Sequence, residues 1–262
     1  MQLRDRVCLV TGGAQGIGAA TAHALAMRGA HVVVGDLQED KARELVLELP
    51  GEALALNLDV RDATSAQAAV DATVEHFGAL DVLVNNAGIG APRTIDQLDE
   101  ETWQRTVDVN LTGPFRMVKA ALPELRRRRG HVATVASMAA RVWTPMLGHY
   151  SATKAGVAAF NETLRVELGR DGIGITTVYF GTIDTPLLAG GLQDEAVTAR
   201  MRRNVERARR LGMSPLVGAE AAGEAIARGI ERERRAVIVP ARAKVPYYVA
   251  APFQRLIERT AW

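Results

Sequence analysis

Short apolar runs alternate along this chain with longer stretches whose apolar residues recur at helical spacing. Residues 7–10, 31–34, 53–58, 82–84, 131–135, 175–179 and 237–239 are mostly apolar and too short for stable helices, so they predict buried strands. Residues 63–77, 100–127 and 151–170 carry the amphipathic helical pattern. Strand–helix alternation from end to end predicts an α/β fold, a parallel sheet with helices on both faces. In such sheets ligands bind outside the carboxyl ends of the strands. No internal repeat, low-complexity tract or Pro/Gly-rich linker interrupts the pattern, so residues 1–262 are expected to form a single domain.

Two segments break the rhythm. Residues 185–213, rich in glycine, charge and helix formers, are expected to form a substrate lid over the sheet edge. Residues 245–262 form a C-terminal extension in which Val249, Phe253, Leu256 and Ile257 would share one helical stripe. That extension could pack on the lid, cross a subunit interface, or lie on a membrane surface with help from Lys244, Arg255 and Arg259. Packing or an oligomer contact is the preferred reading, because Pro246 and Pro252 limit any long continuous helix.

Composition narrows the partners. Hydrophobic residues make up 48% and charged residues 24% of the chain, which is ordinary globular composition. A net charge of +2 gives no reason to expect nucleic acid, despite a pI of 8.9. The basic runs at 126–129 and 201–210 read as solvated helix ends or faces, with a phosphate-bearing substrate as the alternative for the second. One cysteine, Cys8, excludes an intramolecular disulfide, and no residue cluster suggests a metal. No stretch is apolar enough to span a bilayer and no signal peptide precedes the first strand, so a cytoplasmic protein is expected.

Candidate chemistry sits at both ends of the pattern. Residues 11–18, Thr-Gly-Gly-Ala-Gln-Gly-Ile-Gly, follow the first strand and open a helix. Glycines there permit a tight turn and a close approach of pyrophosphate to the helix N-terminus. Asp36 ends the second strand, 18 residues beyond Gly18. Its carboxylate can accept from adenosine ribose hydroxyls, or cap the helix that follows, or do both. It would repel a 2′-phosphate, and Gln15 stands where the loop could have carried a cation, so NAD is expected over NADP. Farther along, Tyr150 and Lys154 lie four residues apart, on one helical face. An ammonium beside a phenol favours the phenolate. Moving the phenol from about 10 to near 7 or 8 requires roughly 3–4 kcal/mol, which a positioned cation supplies. The product is a general acid/base for neutral pH.

Taken in order, Thr11, the glycines from Gly12 to Gly18, Asp59-Val60, Asn85-Asn86-Ala87-Gly88, Asn110, Ser137, Tyr150 and Lys154 resemble the short-chain dehydrogenase/reductase family over nearly the whole chain. Ser137 precedes Tyr150 by 13 residues, the spacing typical of that family. The resemblance implies a Rossmann-like doubly wound sheet of about seven strands, NAD as cofactor, and a homotetramer or homodimer. It implies catalytic roles for Asn110, Ser137, Tyr150 and Lys154. Tyr150 would move the substrate proton and Lys154 would lower its pKa and hold the nicotinamide ribose. Ser137 would hydrogen-bond the substrate oxygen, and Asn110 would interrupt a helix and hold a water linking Lys154 to solvent. It implies cofactor contacts at Gly12, Gly16, Ile17, Gly18, Asp36, Leu37, Asp59, Val60, Asn86, Tyr150, Lys154, Ile183 and Thr185. Asn86 would also tie strands together.

One position departs from the pattern. Phe180-Gly181 stands where the family usually has Pro-Gly. Phe180 would reshape the pocket wall near the nicotinamide, loosen the loop, or pack under the lid. On the substrate side Ala139, Val142, Trp143, Met146, Leu187, Leu188 and Leu192 are apolar, predicting a small hydrophobic secondary alcohol or ketone. Arg141 and His149 read as surface or structural residues, with substrate contact as the alternative. The rival functions are an NADPH-linked carbonyl or 3-oxoacyl thioester reductase and a non-catalytic NAD-binding regulator or scaffold.

Overall fold

The computed structural model describes residues 1–143, 145–181 and 217–248. The expected lid at 185–213, with Ile183 and Thr185, and all of the C-terminal extension beyond residue 248 lie outside them.

The elements follow the sequence pattern closely. Strands β1 (Val7–Thr11), β2 (His31–Asp36) and β3 (Ala53–Asn57) alternate with helices α1 (Gly16–Ala26) and α2 (Glu39–Glu48). Helix α3 (Ala63–Phe77) leads to β4 (Val82–Asn85), then α4 (Glu100–Val107), a π-helical turn (Asp108–Thr112) and α5 (Gly113–Arg128). Strand β5 (His131–Val135), a 3₁₀ turn (Met138–Ala140), α6 (Gly148–Leu168) and β6 (Gly174–Phe180) come next. Helix α7 (Ala219–Glu231), β7 (Ala236–Val239) and the short α8 (Lys244–Tyr248) complete the described chain. The stretch expected as one helix over 100–127 is thus two helices joined by the wider π turn, with Asn110 at its centre.

All seven strands are parallel, in the order β3-β2-β1-β4-β5-β6-β7. The chain reverses its direction of travel between β1 and β4, and that switch point opens a crevice at the carboxyl edge. Strand residues alternate between two cores. Val10, Val34 and Val84 face α1 and α7 with Leu25, Ile226 and Ile230. Leu9, Val33 and Leu83 face α3, α5 and α6 with Met117, Leu125 and Leu164. Each fully buried aliphatic side chain contributes about 1.5–3 kcal/mol, so both faces must be covered for the sheet to persist.

The amino edge is closed by one carboxylate. Asp81, with no side-chain exposure, accepts from Arg6 Nη1 at 2.7 Å, Arg128 Nε at 3.0 Å and the Val7 amide at 3.0 Å. Burial pushes its pKa up, but the Val7 N–H and the two guanidiniums outweigh that and hold it below the ordinary carboxylate value.

Candidate active site

The glycine loop lies over the switch point. Gly12 and Gly16 take φ values of +60° and +57°, which side chains other than glycine rarely adopt. A Cβ at Gly18 would lie 2.0 Å from the Gly12 carbonyl oxygen and 2.7 Å from Asn86 Nδ2, so the loop can close onto α1 only with glycine there. Asn86 secures the same corner. Its Nδ2 donates to the carbonyls of Thr11 (3.0 Å) and Gly12 (2.8 Å), while Thr11 Oγ1 accepts from the Asn86 and Ala87 amides. Asn86 therefore ties β1 to the loop after β4, as expected.

Helix α1 begins without a side-chain cap and with no acid in its first turn. Its amino end keeps the free N–H groups and positive dipole end that accept a phosphate. Ile17 is partly buried against the core behind this turn.

Asp36 is buried at the end of β2, where Oδ2 accepts from the Ala14 amide and Oδ1 from the Gln38 amide, both at 3.0 Å. It braces the glycine loop and the entry to α2 at once. Leu37 beside it is exposed. Asp59 is engaged differently. Arg61 grips its carboxylate through Nε and Nη2, the latter at 2.7 Å, and holds it below the usual carboxylate pKa. The acceptor expected for an adenine amine is thus shared with a guanidinium. Val60 turns its side chain into the core.

Across the crevice, Ser137 leaves β5 in extended conformation and caps the 3₁₀ turn, its Oγ accepting from the Ala139 amide at 3.1 Å. The same hydroxyl lies close enough to the Tyr150 phenol to favour its ionised form. Helix α6 presents Tyr150 and Lys154 on one face, with Lys154 Nζ 5.7 Å from the Tyr150 ring centroid. Gly90 makes room for that ring, because a Cβ there would lie 2.6 Å from Tyr150 Cδ2.

The electrostatics differ from expectation. Lys154 Nζ donates to the Val135 carbonyl at 2.8 Å, and burial lowers its pKa to about 8. Burial raises the Tyr150 pKa, with the neighbouring Ser137 hydroxyl opposing it. Helical spacing brought the two side chains to one face, but the hydrogen bond of the ammonium goes to β5 rather than to the phenol. Among the described contacts, the ammonium lies beside the phenol without a direct hydrogen bond to it.

Asn110 points inward from the π turn. Its Oδ1 accepts from the Ile89 amide at 2.8 Å, and its Nδ2 donates to the Ile89 carbonyl at 2.8 Å and to Thr153 Oγ1 at 3.2 Å. Thr153 Oγ1 in turn donates to the Tyr150 carbonyl at 2.8 Å. A Cβ on Gly88 would sit 3.4 Å from both Asn110 Oδ1 and Lys154 Nζ, so the two converge on Gly88. The expected helix interruption is present, and the amide clasps the backbone N–H and C=O of Ile89.

Phe180 is 3% exposed and belongs to the core cluster that holds Val178, Ala222 and Ile226, so its ring does not wall an open pocket. Strand alternation explains this, and it turns Tyr179 to the opposite face. There Tyr179 meets Tyr247 edge-on at 4.7 Å, and Arg141 lies over the Tyr247 ring at 5.2 Å. Sequence reading missed this triangle, since no periodicity links positions so far apart. His149 is buried rather than exposed. Its burial lowers its pKa, and the Ala91 backbone lies nearby at a geometry too poor for a formed hydrogen bond.

Comparison with known proteins agrees with this layout. A trans-4-hydroxycyclohexanecarboxylate dehydrogenase of Sinomonas cyclohexanicum is 39% identical over 198 residues, covering 72% of this chain and 76% of that protein. An 11-beta-hydroxysteroid dehydrogenase A of Sesamum indicum is 35% identical over 251 residues, covering 93% of this chain and 70% of its own. The crystal structure of a 3-ketoacyl-(acyl-carrier-protein) reductase from Brucella melitensis complexed with NADH superposes with a TM-score of 0.79 at 28% identity, covering 90% of this chain and 97% of that one. The family model for short chain dehydrogenases matches residues 6–196. With its seven-stranded Rossmann-like sheet, this chain belongs to the short-chain dehydrogenase/reductase family and is an oxidoreductase of CH–OH groups.

Proposed function

We propose that the chain interconverts a hydrophobic, ring-bearing secondary alcohol and its ketone, with NAD as the redox partner. The observation that carries this reading is the meeting of the Ser137 hydroxyl and the Tyr150 phenol beside a buried Lys154. The glycine cradle, the uncapped start of α1 and Asp36 fit a dinucleotide. They would hold its pyrophosphate and adenosine ribose, with Lys154 near the second ribose. When bound, the nicotinamide supplies or accepts the hydride.

The chain's own part is proton transfer and charge stabilisation. Ser137 would donate to the substrate oxygen as negative charge develops there. Tyr150 would give its proton to a ketone or take one from an alcohol. Because burial raises its pKa, Tyr150 stands protonated at neutral pH, the form that serves reduction. Ketone reduction should therefore proceed at neutral pH, and alcohol oxidation should accelerate as pH rises.

Asp36 favours NAD, since a 2′-phosphate beside a buried carboxylate meets like-charge repulsion. The relatives that act on hydroxycyclohexanecarboxylate and hydroxysteroids support a ring-bearing substrate. The likeness to a 3-ketoacyl reductase supports, as second reading, a thioester reductase. A panel of alicyclic, steroid and 3-oxoacyl substrates, followed by NADH absorbance, decides between them. Tighter binding of NADPH than NADH would overturn the cofactor assignment. No turnover across the panel, with Tyr150→Phe binding NAD like the parent, would favour a non-catalytic binder.

A further inference from the structure

The geometry points to Arg141 as the group that selects substrates carrying a carboxylate beyond the reacting carbon. The inference rests on Ser137 and Tyr150 marking where the carbinol sits, and deepens that reading by naming a second recognition point.

Arg141 closes the turn that Ser137 opens, its amide donating to the Met138 carbonyl at 2.9 Å. It thus begins the segment that joins the two residues flanking the carbinol. Its guanidinium is held from one side only. The Tyr247 ring lies 5.2 Å from Cζ, and the Tyr179 phenol is a near neighbour of the guanidinium. Tyr179 is 1% exposed and packed edge-on against Tyr247, so this seat is fixed by the core.

Arg28, Arg61, Arg128 and Arg235 all pair with carboxylates. Arg141 pairs with none among the described residues, and its side chain reaches solvent. A guanidinium has five N–H donors in a planar fork suited to a carboxylate. Among the described residues none of these donors meets a carboxylate. Stacking on an aromatic ring fixes the fork in advance, which limits the entropy lost when an anion docks. The flanking Val142 and Met146 are apolar, matching a hydrocarbon ring between carbinol and anion.

The test uses ligands that need no turnover. Cyclohexanecarboxylate and cyclohexanecarboxamide are titrated calorimetrically into the full-length protein saturated with NAD. We expect the carboxylate to bind at least about tenfold more tightly than the amide. Arg141→Gln should erase that preference, and Arg141→Lys should keep part of it as a point charge without the fork. Equal binding of the two ligands by the parent protein overturns the inference. So does a preference that survives Arg141→Gln. Should that variant fail to fold, an undiminished preference in Arg141→Lys overturns the fork. Failure of the oxidoreductase reading is separate, because it shows as absent turnover of 4-hydroxycyclohexanecarboxylate whatever the binding ratio.

Discussion

Two buried charges, Asp81 and Lys154, sit at opposite edges of the same sheet and are treated in opposite ways. Asp81 at the amino edge has two guanidiniums and a backbone N–H, and its charged form is favoured. Among the described residues Lys154 at the carboxyl edge has one carbonyl partner, and burial disfavours its charged form. Burial is costly for any ion, so the surroundings decide whether the charge serves the fold or strains it. The amino edge is a completed network. The carboxyl edge holds a cation with a single partner among the described residues, beside a phenol and a glycine-lined crevice. An incompletely satisfied charge at the edge where parallel sheets bind ligands is the mark of a working site.

Substitutions can break this contrast, beginning with the largest effect. Lys154→Met should cut kcat/KM for the redox reaction by roughly 10²–10⁴-fold, the usual range for lost acid–base function. Steady-state kinetics check this, and near-parental activity would mean that the cation has no chemical role.

The same variant should gain stability. A lysine whose folded pKa is about 8, against 10.5 for an ordinary lysine amine, costs the native state about 3 kcal/mol at neutral pH. The loss of its bond to Val135 trims the gain. The sign follows from proton binding. Between the two pKa values the unfolded chain holds more protons, so parental stability rises with pH there. The advantage of Lys154→Met should therefore shrink between pH 8 and 10.5, as read by urea denaturation across that range.

Asp81→Asn should do the reverse and destabilise by about 2–3 kcal/mol, because charge-assisted hydrogen bonds are lost while Arg6 and Arg128 remain partly solvated. Activity per folded molecule should hold. The folded pKa of Asp81 is depressed, so its contribution is complete above the unfolded carboxylate value and fades as pH falls through the folded one. An acid-denaturation profile should show that loss in the parent and not in Asp81→Asn. Smallest of all, Arg61→Ala should change stability by less than about 1 kcal/mol, because its pair with Asp59 is exposed.

The sheet was legible because its strands are buried on both faces, which turns them into short apolar runs with polar flanks. Residues 131–135 coincide with β5, and 63–77 with α3, whose cap at Asp62 and left-handed Gly78 set its ends. The glycine loop stood out by its place between β1 and α1, Tyr150 and Lys154 by their helical spacing, and Ser137 only through the family resemblance. What stayed hidden depends on where a side chain reaches in three dimensions. Tyr150 and Lys154 were placed correctly on one face, yet the partner of the ammonium is a main-chain carbonyl that no motif records. Asp59 was legible as an acid, but its capture by Arg61 follows from a local turn. Phe180 was left between a reshaped pocket wall, a looser loop and packing under the lid, and strand alternation buries it in the core. Arg141, Tyr179 and Tyr247 meet only because β6, the turn after β5 and α8 converge.

The clasp of Asn110 on the Ile89 backbone has a thermodynamic consequence. A connecting segment left free in the resting enzyme would have to be ordered at each encounter, at about 1–2 kcal/mol per residue in backbone entropy. Here the backbone N–H and C=O of Ile89 are already matched, and Thr153 links the clasp to the helix bearing Tyr150. The ordering is completed once, when the chain folds, so a substrate arriving at this rim meets a shape prepared in advance.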